Sequence, residues 1–250
     1  MIHFIEELSI NAWPSIHTYH YDGWLLRYAN GYSKRANSIL PLYDETYQLP
    51  QKISFCKDFY NNRNLPTIFK LTSNSKHQKI DQYLCAKQYL KLDETRVMLN
   101  DINNKSYTNN NNILVQNNLT SQWIDNYITC AKISSYNVFN TLQAMLSKVV
   151  GETIWLTYIH NHFAVGCGYG VIDRGYLGVY NVYVSKQFRG HGFGEAIVTQ
   201  LFHEAQKRNI TKTYLQVLVK NEVANNLYIK LGYNEAYKYW YRRSFFEYMR

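Results

Sequence analysis

The chain has few cysteines, few prolines and no long apolar run, and each shortage excludes something. Its 250 residues hold four cysteines, Cys56, Cys85, Cys130 and Cys167, far apart and without a C-x-x-C pair. That spacing argues against a disulfide framework or a zinc ribbon and fits free thiols in a reducing, cytoplasmic setting. No apolar stretch approaches bilayer-spanning length, so no membrane partner is expected. The opening MIHFIEELSI has no basic segment followed by an apolar one, so it does not read as a secretory leader. Dense Lys/Arg clusters are also missing, although the net charge is +9. The excess suits a phosphate-bearing ligand or an acidic partner, and without a basic cluster a nucleic-acid partner is not expected.

What is present is a 46% hydrophobic composition, enough for one large core or two smaller ones. The sharpest composition change is NDINNKSYTNNNNILVQNN, Asn100 to Asn118, which reads as a joint between halves 1–110 and 111–250. Periodicity in the front half predicts a short helix over Phe4–Ala12 and two strands around a turn at Asn30-Gly31. A helix near 51–61, a strand at 66–71, a helix at 76–89 and a strand at 92–99 follow. The back half predicts two amphipathic helices, then three antiparallel strands at 153–159, 163–172 and 176–185. A helix from Gly192 to Arg208, a strand at 213–219, a helix at 222–231 capped by Gly232 and a last strand complete it. This is a mixed α/β fold, sheet layered with helices.

Glycine is scarce, at 12 residues, yet three fall within VSKQFRGHGFGEAI between a predicted strand and a predicted helix. Gly190, Gly192 and Gly194 leave the backbone bare where the first N–H groups of a helix have no internal acceptor. The helix dipole and Arg189 add positive charge there, which points to a bound anion such as a diphosphate. A Walker loop needs Lys-Ser or Lys-Thr after the glycine, and here Glu195-Ala196 follow Gly194. A dinucleotide fingerprint needs a glycine where Glu195 stands, and the preceding strand belongs to an antiparallel meander. R-x-x-G-x-G remains: Arg189, Gly192 and Gly194.

NVYVSKQFRGHGFGEAI followed by VLVKNEVANNLYIKLGYNEAYKY resembles the GNAT superfamily of acyl-CoA-dependent N-acyltransferases, over about residues 113 to 250. It carries both R-x-x-G-x-G and N-x-x-A-x-x-x-Y-x-x-x-G-[FY]. The resemblance implies acetyl-CoA as cosubstrate and an amine acceptor, small molecule or peptide, attacked directly in a ternary complex. It implies that the loop Arg189, Gly190, His191, Gly192, Phe193 and Gly194 holds the diphosphate of coenzyme A. Val182, Tyr183 and Val184 would offer backbone groups to its pantetheine arm, and Asn221 would contact that arm. Tyr228 would stand near the thioester sulfur as proton donor.

The strand expected to carry the family's glutamate, Tyr176–Ser185, has no carboxylate and shows Asn181 instead. Asp173 and Glu152 are the other carboxylates considered for the base. His160 and His162 read as a hairpin turn, so no metal is expected, and Cys167 reads as a small buried hydrophobe. The front half resembles a GNAT half without its cofactor loop, which implies a tandem arrangement, with each half built on its own mostly antiparallel sheet. Trp24, Arg27, Lys34, Arg35 and Asn37 are candidates for a substrate groove facing the back half. A non-catalytic acyl-CoA sensor and a nucleic-acid-associated modifier stay open as other readings, as do monomer and homodimer.

Overall fold

Tight turns set the path of the strands. Asp22-Gly23 (φ 44° and 79°), Asn161-His162 (48° and 68°) and Arg174-Gly175 (47° and 80°) are all left-handed pairs. Such turns match the right-handed twist of the strands they join. The hairpins they close are β1 (His17–Tyr21) with β2 (Trp24–Tyr28), β7 (Glu152–His160) with β8 (Phe163–Asp173), and β8 with β9 (Tyr176–Val184). His160 and His162 thus belong to a hairpin, as the sequence suggests. The turn at Asn30-Gly31 also forms, with Tyr32 N–H donating to Ala29 O at 2.9 Å. Behind it a 3-10 turn at Lys34–Ala36 leads into β3 (Ile39–Pro41), which pairs with β2.

The computed structural model describes residues 1–245. The other elements are α1 (Ile2–Ala12), α2 (Leu49–Asn61), β4 (Ile68–Thr72), α3 (Lys76–Ala86), β5 (Leu90–Asp101) and β6 (Ile113–Gln116). They continue with α4 (Ser121–Ala131), α5 (Tyr136–Leu146), α6 (Phe193–Gln206), β10 (Lys212–Leu218), α7 (Glu222–Lys230) and β11 (Asn234–Arg243). Two of these strands, β1 and β6, go beyond the sequence expectation. They are the two edges of the sheet, where short or polar strands give little periodicity to read. Among the described residues no helix is long and apolar enough to cross a membrane.

The sheets of the two halves are joined into one, in the order β1-β2-β3-β4-β11-β5-β10-β9-β8-β7-β6. The joint is a reciprocal exchange. β5, the last strand of the front half, runs antiparallel to β10 on one side and β11 on the other. β11, the last strand of the back half, runs antiparallel to β4 and β5, both from the front. Each exchanged strand therefore finds partners for both rows of backbone groups in the opposite half.

Alternation along the strands builds four buried apolar clusters among the described residues, and the two that flank the back-half strands lie on opposite faces of the sheet. Ile197, Val198, Leu201 and Phe202 of α6 cover Leu177, Val179 and Leu215. On the other face Trp123 of α4 packs with Trp155, Tyr169, Tyr180 and Tyr214, beside Ile5 and Leu8 of α1. α6 comes close because β8 has glycine beneath it: a Cβ on Gly168 would stand 2.8 Å from Ile197 Cγ2. Cys167, beside it on the opposite face, is buried as a small apolar residue.

One ion pair ties three distant segments together. Lys70 of β4 meets Glu6 of α1 with side chains only 3% and 4% exposed. Tyr237 of β11 donates to the same carboxylate at 2.7 Å, and the Lys70 ammonium lies 4.1 Å from the Tyr239 ring centroid. Removing one partner of a buried pair strands the other charge away from water. Glu6→Ala is therefore expected to destabilise the chain by about 3–5 kcal/mol, read by urea denaturation, and Glu6→Ala with Lys70→Met to recover part of that loss.

Candidate active site

β9 and β10 part company. Their parallel ladder runs only from Lys212↔Tyr176 to Leu215↔Val179. Just beyond, two residues of β9 oppose one of β8, and Asn181 sits at φ 48°. This bulge turns β9 aside. From Tyr180 to Val184 the strand keeps β8 as a neighbour but has no β10 partner. Asparagine is among the side chains that tolerate the left-handed conformation this bulge needs. The residue noted in sequence for lacking a carboxylate thus shapes the backbone here.

The gap holds a cavity of about 670 Å³ that passes through the sheet. On the α6 side its wall is Val179, Val182, Val217, Ala224 and Tyr228. On the other side it is Trp13, Tyr32, Tyr127, Tyr180, Tyr239 and Arg35. The aromatic wall is stiffened from behind, since the Tyr180 and Tyr214 hydroxyls share a 2.8 Å hydrogen bond.

At the end of β9 lies the glycine loop. A 3-10 turn, Lys186–Phe188, leads to Gly190 (φ 84°) and Gly192 (φ 79°), and α6 begins at Phe193. Both glycines occupy the left-handed region, and a Cβ on either would meet nothing within 4 Å. The backbone conformation, with open space beside it, is what demands glycine there. The first α6 bond of this turn is Ala196 N–H to Gly192 O, at 3.0 Å. No backbone acceptor is bonded to the N–H groups from Gly190 to Glu195 among the described residues, so a row of donors faces outward at the positive end of a helix. Arg189 Nε donates to Val184 O at 3.0 Å and its guanidinium lies 5.4 Å from the Tyr183 ring centroid. His191 Nδ1 lies 3.0 Å from Arg189 O, and its ring stacks on Phe193 at 5.8 Å.

α7 supplies the next two residues. Asn221 caps it, Oδ1 accepting from Ala224 N–H at 3.2 Å, which leaves its amide NH2 free to donate. Tyr228 is half-buried on the cavity wall, edge-on to Tyr233 with centroids 5.9 Å apart. Its hydroxyl has no hydrogen-bond partner among the described residues, and burial pushes its pKa up to about 12. Val182, Asn221 and Tyr228 therefore share one cavity. Tyr183, Val184 and the loop from Arg189 to Gly194 continue from it along β9 and into α6.

The remaining candidates divide. Lys34 and Arg35 reach the cavity wall. Trp24, Arg27 and Asn37 do not. Trp24 is fully buried beneath Lys52, whose ammonium lies 4.0 Å from the ring centroid. The Arg27 guanidinium is buried on the carbonyls of Trp13 and Arg35, and Asn37 ties the turn together by accepting from Ala29 and Gly31 N–H. They hold the hairpin behind the groove, because a donor fork or an amide buried beside free carbonyls is drawn to them. Asp173 and Glu152 lie away from the cavity, Asp173 with Asn11 and Arg174, Glu152 with Arg208. The carboxylate on the wall is Asp93 of β5, 2.8 Å from Lys34 Nζ. Nothing in the sequence points to it, since it belongs to a strand exchanged from the other half. Among the described residues no three His, Cys, Asp or Glu side chains gather as a metal-binding group.

Comparison with known proteins agrees with this geometry. Residues 1–242 match the sequence model of a family described as "Probable histone acetyltransferase Rv0428c C-terminal". A relative from Bacillus subtilis, "Uncharacterized N-acetyltransferase YobR", is 28% identical over 95% of this chain and 96% of its own. An Escherichia coli "[Ribosomal protein bS18]-alanine N-acetyltransferase" is 35% identical over 26% of this chain and 43% of its own. A GCN5-related N-acetyltransferase from Kribbella flavida superposes over 99% of this chain and 96% of its own, with TM-score 0.70 at 9% identity, a likeness of fold. The chain belongs to the Rv0428c C-terminal acetyltransferase family and is an acyltransferase of the GNAT type.

Proposed function

We propose that the chain transfers an acetyl group from acetyl-CoA to an amine, both held at once. One observation carries the reading: the row of unbonded N–H groups from Gly190 to Glu195 follows directly on a strand edge that has no β10 partner, and that edge begins on the wall of the cavity it shares with Tyr228. That arrangement fits a long ligand with a diphosphate at one end and a thioester at the other. The loop from Arg189 to Gly194 takes the diphosphate through backbone donors and the helix dipole. The free edge of Val182, Tyr183 and Val184 pairs with the pantetheine amides as an added strand would. The Asn221 amide donates to the same arm.

Acetyl-CoA supplies an acyl group already activated as a thioester. The chain's own residues position the amine and stabilise the departing sulfur. An ordinary alkylamine has a pKa of about 10.4 and arrives protonated at neutral pH, so the site must favour its neutral form. Apolar and aromatic walls do so by desolvation. Direct attack needs no enzyme nucleophile once both substrates are held in one cavity. In sequence the chain is a tandem of GNAT-like halves, 1–110 and 111–250, the first without a cofactor loop.

Titration calorimetry with acetyl-CoA and free-thiol release over a panel of amines test the reading. Uptake of acetyl-CoA with amine-dependent thiol release supports it. Uptake without release from any amine would make the chain an acyl-CoA sensor. Gly192→Val tests the loop separately. A side chain in the left-handed region costs about 1–2 kcal/mol, and relaxing to negative φ turns the N–H groups away. Acetyl-CoA affinity is therefore expected to fall about tenfold, measured by calorimetry.

A further inference from the structure

We propose that Arg35 binds a carboxylate carried by the acceptor, which makes the acceptor an amino-acid-like amine. The inference rests on the acetyl-transfer reading and adds the substrate class.

Arg35 stands on the cavity wall, in the short 3-10 turn behind the Asn30-Gly31 turn. Its guanidinium lies 5.5 Å from the Trp13 ring centroid. Among the described residues it has neither a carboxylate partner nor a hydrogen-bond acceptor. The cations around it are all engaged. Lys34 pairs with Asp93, Arg27 holds two backbone carbonyls, and Lys70 pairs with Glu6. A charge half-withdrawn from water and left unpaired is costly, unless a ligand completes it. Guanidinium is also the side chain whose planar fork fits a carboxylate with two parallel hydrogen bonds.

The position is fixed before any ligand arrives. The Arg35 carbonyl accepts from Arg27 Nη1 at 3.1 Å, and Ser33 Oγ accepts from Ala36 N–H at 3.4 Å, closing the turn. Arg35 also faces the opposite side of the sheet from the glycine loop. Its neighbours Trp13 and Tyr239 belong to the α1 and α4 face, while Phe188, Phe193 and Tyr228 belong to the α6 face. A diphosphate held at the loop is therefore outside its service. With Lys34 neutralised by Asp93, the wall offers one unpaired cation among the described residues, set among tyrosine rings. That suits a compact acceptor with one carboxylate and an apolar or aromatic body, and it repels a polyamine.

The test is free-thiol release by the full chain with the standard amino acids and their matched carboxamides. The best amino acid is expected to exceed its own carboxamide by about tenfold or more in kcat/KM, the worth of a hydrogen-bonded charge pair. In Arg35→Gln that ratio is expected to collapse to within about twofold. Arg35→Lys, which keeps the charge and loses the fork, is expected to retain an intermediate ratio and decides the matter should the glutamine variant fail to fold. Carboxamides or plain diamines used as well as the best amino acid would overturn the assignment. So would an undiminished ratio in both variants, or no release with any amino acid while acetyl-CoA is taken up. Failure of calorimetry to detect acetyl-CoA uptake would instead remove the transfer reading on which the assignment stands.

Discussion

Replacing Tyr228 with phenylalanine is expected to slow kcat by about a hundredfold, the usual cost of losing one donor aimed at developing charge, with acetyl-CoA affinity almost unchanged. Three observations lead there. The side chain is on the cavity wall, its hydroxyl has no partner among the described residues, and burial pushes its pKa up to about 12. At neutral pH the hydroxyl is therefore protonated and available as a donor. An ordinary thiol has a pKa of about 8.5, so a departing thiolate is a weaker base than this phenolate. The hydroxyl thus stabilises the sulfur through a strengthening hydrogen bond, and complete proton transfer is not required. Phenylalanine keeps the ring against Tyr233 and removes only that donor. Steady-state kinetics and calorimetry together check this: unchanged kcat, or a loss carried by weaker acetyl-CoA binding, would take the role away from Tyr228.

Residues 111–250 expressed alone are expected not to fold, although they hold the whole of the glycine loop, α6 and α7. Both neighbours of β11 in the sheet, β4 and β5, come from the front half. Without them Asn234–Arg243 has no ladder, and β10 loses its antiparallel partner. Tyr237, Tyr239 and Tyr241, now buried, would face water. Each such side chain is worth about 1.5–3 kcal/mol, against a total stability of about 5–15 kcal/mol for a whole protein. Circular dichroism and gel filtration of the fragment check the expectation, and co-expression with residues 1–110 is expected to restore a soluble complex. A monodisperse fragment with a cooperative melt would show that the exchanged strands are dispensable.

The two outcomes have different reach because they depend on different scales of structure. Tyr228 acts within a motif contiguous in sequence, and its helix, cap and following glycine were all readable. Asn221 caps α7, and Gly192, which reads as the start of a helix, caps α6 at positive φ. The three central strands of the back half read correctly because β-hairpins pair near neighbours through short turns. The edge strands β1 and β6 did not, since an edge strand has one partner and little need for alternating apolar residues. Of five front-half groove candidates only Lys34 and Arg35 reach the cavity. Hydrophobic pattern does not tell which polar side chain of a hairpin turns inward to hold carbonyls and which turns outward to a ligand.

The sequence by itself determined the glycine loop, the capping and periodicity of α6 and α7, and the superfamily, because each rests on backbone chemistry within a few residues. Tertiary structure alone decided that β5 and β11 trade places, that Asp93 and Arg35 meet the cavity, and that the bulge at Asn181 opens it. The reason is physical. Pairing between strands more than a hundred residues apart is chosen by the completion of backbone hydrogen bonds across the whole sheet, and that requirement leaves no local trace in the residues that satisfy it.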